Sequence, residues 1–82
     1  MKKSNASIQV IDRSARLMEA IAACNGSASL KILSAETELH PSTAFRILGS
    51  LIEVGFVERD GSGHYFTGRK IAQLANSARR GT

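Results

Sequence analysis

Residues 39–52, Leu39-His40-Pro41-Ser42-Thr43-Ala44-Phe45-Arg46-Ile47-Leu48-Gly49-Ser50-Leu51-Ile52, decide how this chain is read. Pro41 suits the first position of a helix, where its missing N–H is no loss. Ala44, Ile47, Leu48 and Leu51 then recur at helical spacing and make an apolar back. The front carries Ser42, Thr43, Phe45 and Arg46: two hydroxyls, an aromatic ring and a forked cation. A helix of this kind fits the major groove of DNA and reaches base edges with its first turns. The pattern runs to about Val54, and Gly55 ends it. Beyond it, residues 56–59 read as a strand, 60–63 as a glycine-rich turn and 64–67 as the returning strand. A recognition helix followed by a hairpin is the order of a winged helix-turn-helix.

Upstream, Ser29 is placed to cap a second helix from Leu30 to about Thr37, burying Leu30 and Leu33, with Leu39 closing the turn beyond. A first helix is predicted from Asp12 to Cys24. Ile11, Ala15, Met18 and Ala22 form its stripe, flanked by Leu17 and Ile21. Asp12 favours the helix start and stands four residues before Arg16, the better orientation for a pair. Asn25-Gly26 is a strong stop, since glycine takes the left-handed cap conformation without steric cost. Gly68 breaks the hairpin, and Arg69 to Arg80 is helical again, with Ile71, Leu74, Ala75 and Ala78 on one side. The fold class is therefore mainly α with a small β-hairpin, a winged helix-turn-helix of order α-α-α-β-β-α. A very short extra strand at Ala28-Ser29 can join the hairpin. Residues 1–7 read as a flexible basic arm, 8–68 as the domain and 69–82 as a linker helix.

The 82 residues suffice for one domain. Apolar residues at 43% and aromatic ones at 5% point to an aliphatic core and exclude a disordered chain. The net charge of +4 and pI of about 9.9 fit a polyanionic partner. Cys24 stands alone, so no internal disulfide is possible, and a half-buried thiol is expected. Lys2 and Lys3 are not followed by an apolar stretch, so no export signal is read, and a cytoplasmic location is expected. No run approaches the roughly 20 apolar residues that span a membrane. His40 and His64 are far apart and lack a Cys or acidic set at ligand spacing, so no metal is expected. No glycine-rich phosphate loop follows a strand, and no cofactor is expected. The carboxylates are scattered, and the chain does not read as an enzyme.

With these residues in place, the chain resembles the N-terminal DNA-binding domain of the IclR family of bacterial transcription regulators. The resemblance covers roughly Ile8 to Leu74. It rests on Ile11-Asp12-Arg13, on Ser29-Leu30, and on Leu39 followed by Ser42-Thr43, Arg46, Leu48 and Leu51. Val54-Gly55-Phe56-Val57-Glu58-Arg59 and the Gly63, Tyr65 and Gly68 of the wing complete it. Other winged-helix repressor families share parts of this set. The resemblance implies a sequence-specific regulator of double-stranded DNA that reads palindromic or repeated half-sites. It further implies a homodimer or dimer of dimers, and a small organic effector held by a C-terminal domain that these residues do not include. Two recognition helices would then lie about one DNA turn, roughly 34 Å, apart. Four departures stand out. Glu38 occupies a turn position where the family usually has Gly, and a left-handed conformation there would cost roughly 1–2 kcal/mol. His40-Pro41 replaces the frequent Pro-Lys. Phe45 stands where a polar or basic residue is common, and His64 where the wing often has Arg.

Arg46 is the first candidate for base reading, because its guanidinium spans the O6 and N7 of guanine. The competing reading is a surface Arg paired with Glu53 or touching phosphate only. Ser42 and Thr43 can hold a phosphate or reach a base, or else cap the helix. Phe45 can pack on a thymine methyl or fold back against the second helix. Ser29 and Lys31 begin the helix that crosses the DNA backbone, where Lys31 can equally be a solvated charge. By resemblance Arg13 reaches DNA, whereas Arg16 can simply pair with Asp12. Arg59 and His64 flank the wing tip, near the backbone or minor groove, and His64 can equally be an inert turn residue. Two other functions compete with DNA binding: a winged helix used only for protein contacts, and an enzyme fragment.

Overall fold

The computed structural model describes residues 6–80, with side chains from residue 8 to residue 78. Its elements run α1 (Ala6–Ala23), β1 (Ser27–Ser29), α2 (Leu30–Thr37), α3 (Pro41–Glu53), β2 (Val57–Arg59), β3 (His64–Thr67) and α4 (Arg69–Arg80). The short strand at Ala28-Ser29 is present, so the order is α-β-α-α-β-β-α. Of the expected arm, residues 1–5 lie outside the described residues, while Ala6 and Ser7 already belong to α1. The last two residues of the expected linker helix, 81 and 82, also lie outside them.

Helix α1 begins six residues before the predicted start at Asp12. Asp12 marks no terminus. It sits inside the helix, 4.0 Å from the Arg16 guanidinium one turn on. The buried face also differs from expectation. Leu17 and Ile21 are fully buried, whereas Ile11, Ala15 and Ala22 are exposed and Met18 is half-buried. The two candidate stripes are one residue, or about 100°, apart on the helix. Periodicity reveals a helix but not the side its neighbours occupy. At the far end Asn25 and Gly26 take φ of 63° and 96°, and Gly26 N–H closes on Ile21 O.

Helix α2 has its predicted bounds, with Ser29 Oγ accepting from Ile32 N–H at 3.3 Å. Leu33 is buried as expected, while Leu30 is half-buried. Ser34 and Thr37 are buried too, each satisfied by a local carbonyl: Ser34 donates to Leu39 O and Thr37 to Leu33 O. The turn into α3 passes through Glu38 at φ 60°, ψ 26°, the left-handed region that favours glycine. Helix α3 buries Ala44, Ile47, Leu48 and Leu51, the four expected positions. Together with Leu17, Ile21, Leu33, Val57 and Tyr65 they form one core.

The wing is a three-stranded antiparallel sheet in the order β1-β3-β2. Ser29 pairs with His64 across one edge, and Arg59 with Tyr65 across the other. Gly68 does more than interrupt the hairpin. Its N–H donates to Phe56 O at 2.7 Å, and a Cβ on it would run into the Gly55 carbonyl. Helix α4 starts at this junction, where Glu58 Oε2 accepts from Arg69 N–H at 3.1 Å. A carboxylate at a helix N-terminus satisfies a free donor and complements the dipole. Beyond Ile71, which is half-buried, Leu74, Ala75 and Ala78 are exposed.

Candidate nucleic-acid interface

Helix α3 buries its back so completely that its front has one orientation. With Ala44 and Leu48 at 0% exposure, the helix cannot roll without opening the core. Phe45 keeps 54% of its surface accessible and is not part of the core cluster. Arg46 is exposed and, among the described residues, its side chain makes neither an ion pair nor a hydrogen bond. The expected competitor, a pair with Glu53, is not formed. An unpaired guanidinium thus stands beside an exposed aromatic residue on this face of α3.

The start of α3 is capped by His40. Its Nδ1 accepts from Ser42 N–H at 3.3 Å and lies 2.9 Å from Ser42 Oγ. Ser42 is thus tied into the cap, though its hydroxyl remains exposed. Thr43 is half-buried, and its hydroxyl has no partner among the described residues.

The predicted residues gather in two places. Arg13 of α1 and Thr43 and Arg46 of α3 line one cleft of about 620 Å³, together with Val10, Gly49 and Glu53. Arg13 is half-buried and, like Arg46, has no anionic partner among the described residues. The second group adjoins the wing. The β1–β3 register sets Ser29, the cap of α2, opposite His64. Lys31 follows in the first turn of α2 and is exposed. Arg59 lies over the Tyr65 ring, 5.7 Å from its centroid, a cation–π contact that restrains its guanidinium at the sheet surface.

The wing tip is ordered by one carboxylate. Asp60 Oδ1 accepts from Ser62 N–H at 2.9 Å, Ser62 Oγ at 2.8 Å and His64 N–H at 3.0 Å. The Ser62 hydroxyl bond, then the His64 backbone bond, hold the Asp60 carboxyl below its ordinary value of 3.8. Ser62 Oγ also lies 2.9 Å from His64 Nδ1, so His64 is part of the turn rather than a loose imidazole.

Arg16 has a structural part. Besides Asp12, it donates to Thr37 O at 2.6 Å, joining α1 to the C-terminus of α2, where a cation complements the dipole. Sequence reading passes over three residues that shape the interface: His40 as a cap, Asp60 as the wing's acceptor, and Gly49 on the exposed face of α3. Gly49 carried a usable signal, because an isolated glycine inside a helical pattern needs a reason. Among the described residues no three His, Cys, Asp or Glu side chains gather at metal distance, and no helix is long and apolar enough to cross a membrane.

Comparison with known proteins places this geometry. The family model described as the IclR helix-turn-helix domain matches residues 10–61. Among solved structures, HmgR of Pseudomonas aeruginosa superposes with a TM-score of 0.78 at 27% identity, over 85% of this chain and 30% of its own. An IclR-family transcriptional regulator of Rhodococcus superposes with a TM-score of 0.78 over 95% of this chain and 32% of its own; at 22% identity the likeness is one of fold. An O-methyltransferase of neocarzinostatin biosynthesis, NcsB1, also superposes, with a TM-score of 0.63 at 26% identity, over 79% of this chain and 21% of its own. No curated protein matches the chain. The chain spans under a third of the length of these three structures.

Proposed function

This chain belongs to the IclR helix-turn-helix family, and from that premise we propose how its DNA-binding transcription-regulator domain engages its target. Residues 8–68 are the reading head. Helix α3 enters the major groove, with Arg46 on a guanine edge, Phe45 against a thymine methyl and Thr43 at the mouth of the helix. Ser29, Lys31 and Arg13 hold phosphates, and Arg59 and His64 bring the wing to the backbone or minor groove. Base contacts supply the specificity, and phosphate contacts fix register. One observation carries the reading: α3 buries its whole apolar back while leaving Arg46 and Phe45 exposed and unengaged.

Family membership supports a longer regulator in which two such domains address repeated half-sites as a homodimer or dimer of dimers. A C-terminal domain would bind a small organic effector, and residues 69–82 would link the two. The experiment is selection of bound sequences from a random duplex pool, followed by footprinting. A motif covering major-groove guanines, with binding that weakens steeply as salt rises, is the expected result. No enriched motif at moderate ionic strength would overturn it.

A second reading is a winged helix that makes only protein contacts; the likeness to part of NcsB1, an O-methyltransferase, shows that a similar fold also occurs in a chain that is not named as a regulator. Salt separates the two. Each phosphate neutralised contributes a slope of about −0.9 in log affinity against log salt. A protein-contact module shows no slope of this kind on duplex DNA.

A further inference from the structure

Gly49 is in an unfavourable place for a glycine. It lies inside α3, four residues before the end of the helix, on its exposed face. Glycine in a helix interior destabilises relative to alanine, because the unfolded backbone has more freedom to lose. Neither usual justification applies. The φ of Gly49 is not positive, so no special backbone conformation requires it. A Cβ there would meet nothing within 4 Å, so no close internal packing requires it. The missing side chain leaves space only for something outside the chain.

The surroundings indicate what. Gly49 lines the cleft between α1 and α3, one turn beyond Phe45 and Arg46 on the outward face. Two guanidiniums, Arg13 and Arg46, line that cleft without an anionic partner among the described residues. The Thr43 hydroxyl, also unpartnered there, lines it too. Glu53 supplies the one carboxylate of the lining. Two unpaired cations on the lining of one cleft, with an unpartnered hydroxyl beside them, complement an anion.

We propose that this cleft seats one phosphate of the DNA backbone, with Gly49 as its point of closest approach and Arg13 and Thr43 as its ligands. The inference rests on the DNA-binding reading and adds Gly49 and Thr43 to the Arg13 contact: α1 and α3 grip one phosphate together, so the recognition helix is seated to a set depth. Glycine is kept at position 49 because a methyl group would hold the phosphate away from Arg13. Stability and affinity therefore pull in opposite directions at this residue.

That opposition is the test. The 82-residue chain, Gly49→Ala and Arg13→Gln are compared on a short duplex of random sequence, by thermal midpoint and by Kd over a range of salt. Gly49→Ala is expected to raise the midpoint while weakening binding about tenfold, the size of one lost charge-assisted contact. Arg13→Gln is expected to weaken binding similarly and to reduce the salt slope by about 0.9, one phosphate's worth. Glu53→Gln is expected to tighten binding. If the parent binds duplex steeply with salt but Gly49→Ala binds as well or better, the seat is refuted and the DNA-binding reading stands. If the parent shows no salt-dependent duplex binding, both fall. If Gly49→Ala leaves the Kd alone and weakens self-association instead, a second chain covers this face and the seat is refuted.

Discussion

Replacing Glu38 by glycine should make the domain more stable. Glu38 is held at φ 60°, ψ 26° between α2 and α3. It is exposed, and its side chain has no partner among the described residues, so the substitution removes no contact. Its backbone N–H donates to Ala35 O at 3.4 Å, a bond that glycine retains. An L-residue in this region is strained by roughly 1–2 kcal/mol, which glycine relieves. Against this, glycine frees the unfolded chain by about 0.4–1 kcal/mol. The middles of the two ranges leave a net gain of about 0.8 kcal/mol, or roughly 3–6 °C in Tm for a domain of this size. Thermal unfolding followed by circular dichroism reads the shift directly. Glu38→Ala serves as the control, since alanine keeps the strain and should leave Tm nearly unchanged. Glu38→Asn should fall between, because asparagine tolerates this region better than most residues. A Tm for Glu38→Gly at or below the parent's would refute the strain argument. So would an equal gain from alanine.

Gly68→Ala should destabilise by about 1–3 kcal/mol, the usual result of forcing atoms into a filled site, since its Cβ meets the Gly55 carbonyl; denaturant titration checks this. Leu48→Ala removes a fully buried side chain from the centre of α3 and should cost about 2–5 kcal/mol, read by the urea midpoint. Asp60 has a lowered pKa in the folded chain, set first by the Ser62 hydroxyl. Its stabilising effect is therefore present above the unfolded carboxyl's ordinary value and is lost as pH falls through the lower folded one. Tm should drop with acid over that window in the parent and less so in Asp60→Asn. Equal acid sensitivity of the two proteins would dismiss the wing-tip carboxylate as the cause.

Much of this fold was legible because the apolar pattern was both periodic and flanked by unambiguous signals. In α3, proline at the start, glycine after the end and four apolar positions between leave a single solution. Ser29 and Asn25-Gly26 marked their helix boundaries for equally local reasons. Helix α1 was harder. Asp12 looked like a start signal, yet it serves an i,i+4 pair inside a longer helix. Ile11, Ala15 and Met18 offered a stripe as regular as the one carrying Leu17 and Ile21. Only the position of α2 and α3 decides between them, and that is tertiary information. The same holds for Glu58, eleven residues before the helix end it caps, and for Arg16, which reaches Thr37 on another helix. At the interface, residue types on the front of α3 were readable. The cleft that unites Arg13 with Thr43 and Arg46 was not, because it exists only once α1 and α3 are packed.

The central claim is that Arg46 reads a base. It is tested most directly by comparing Arg46→Ala with the parent on two duplexes, one carrying a motif selected from a random pool and one of random sequence. A lost bidentate guanine contact is worth about 1–3 kcal/mol of discrimination, so affinity for the selected duplex should fall roughly 5- to 150-fold. Affinity for random sequence should fall far less. Equal losses on both duplexes would show that Arg46 touches phosphate alone, and the assignment of α3 as the base-reading helix through that residue would be wrong.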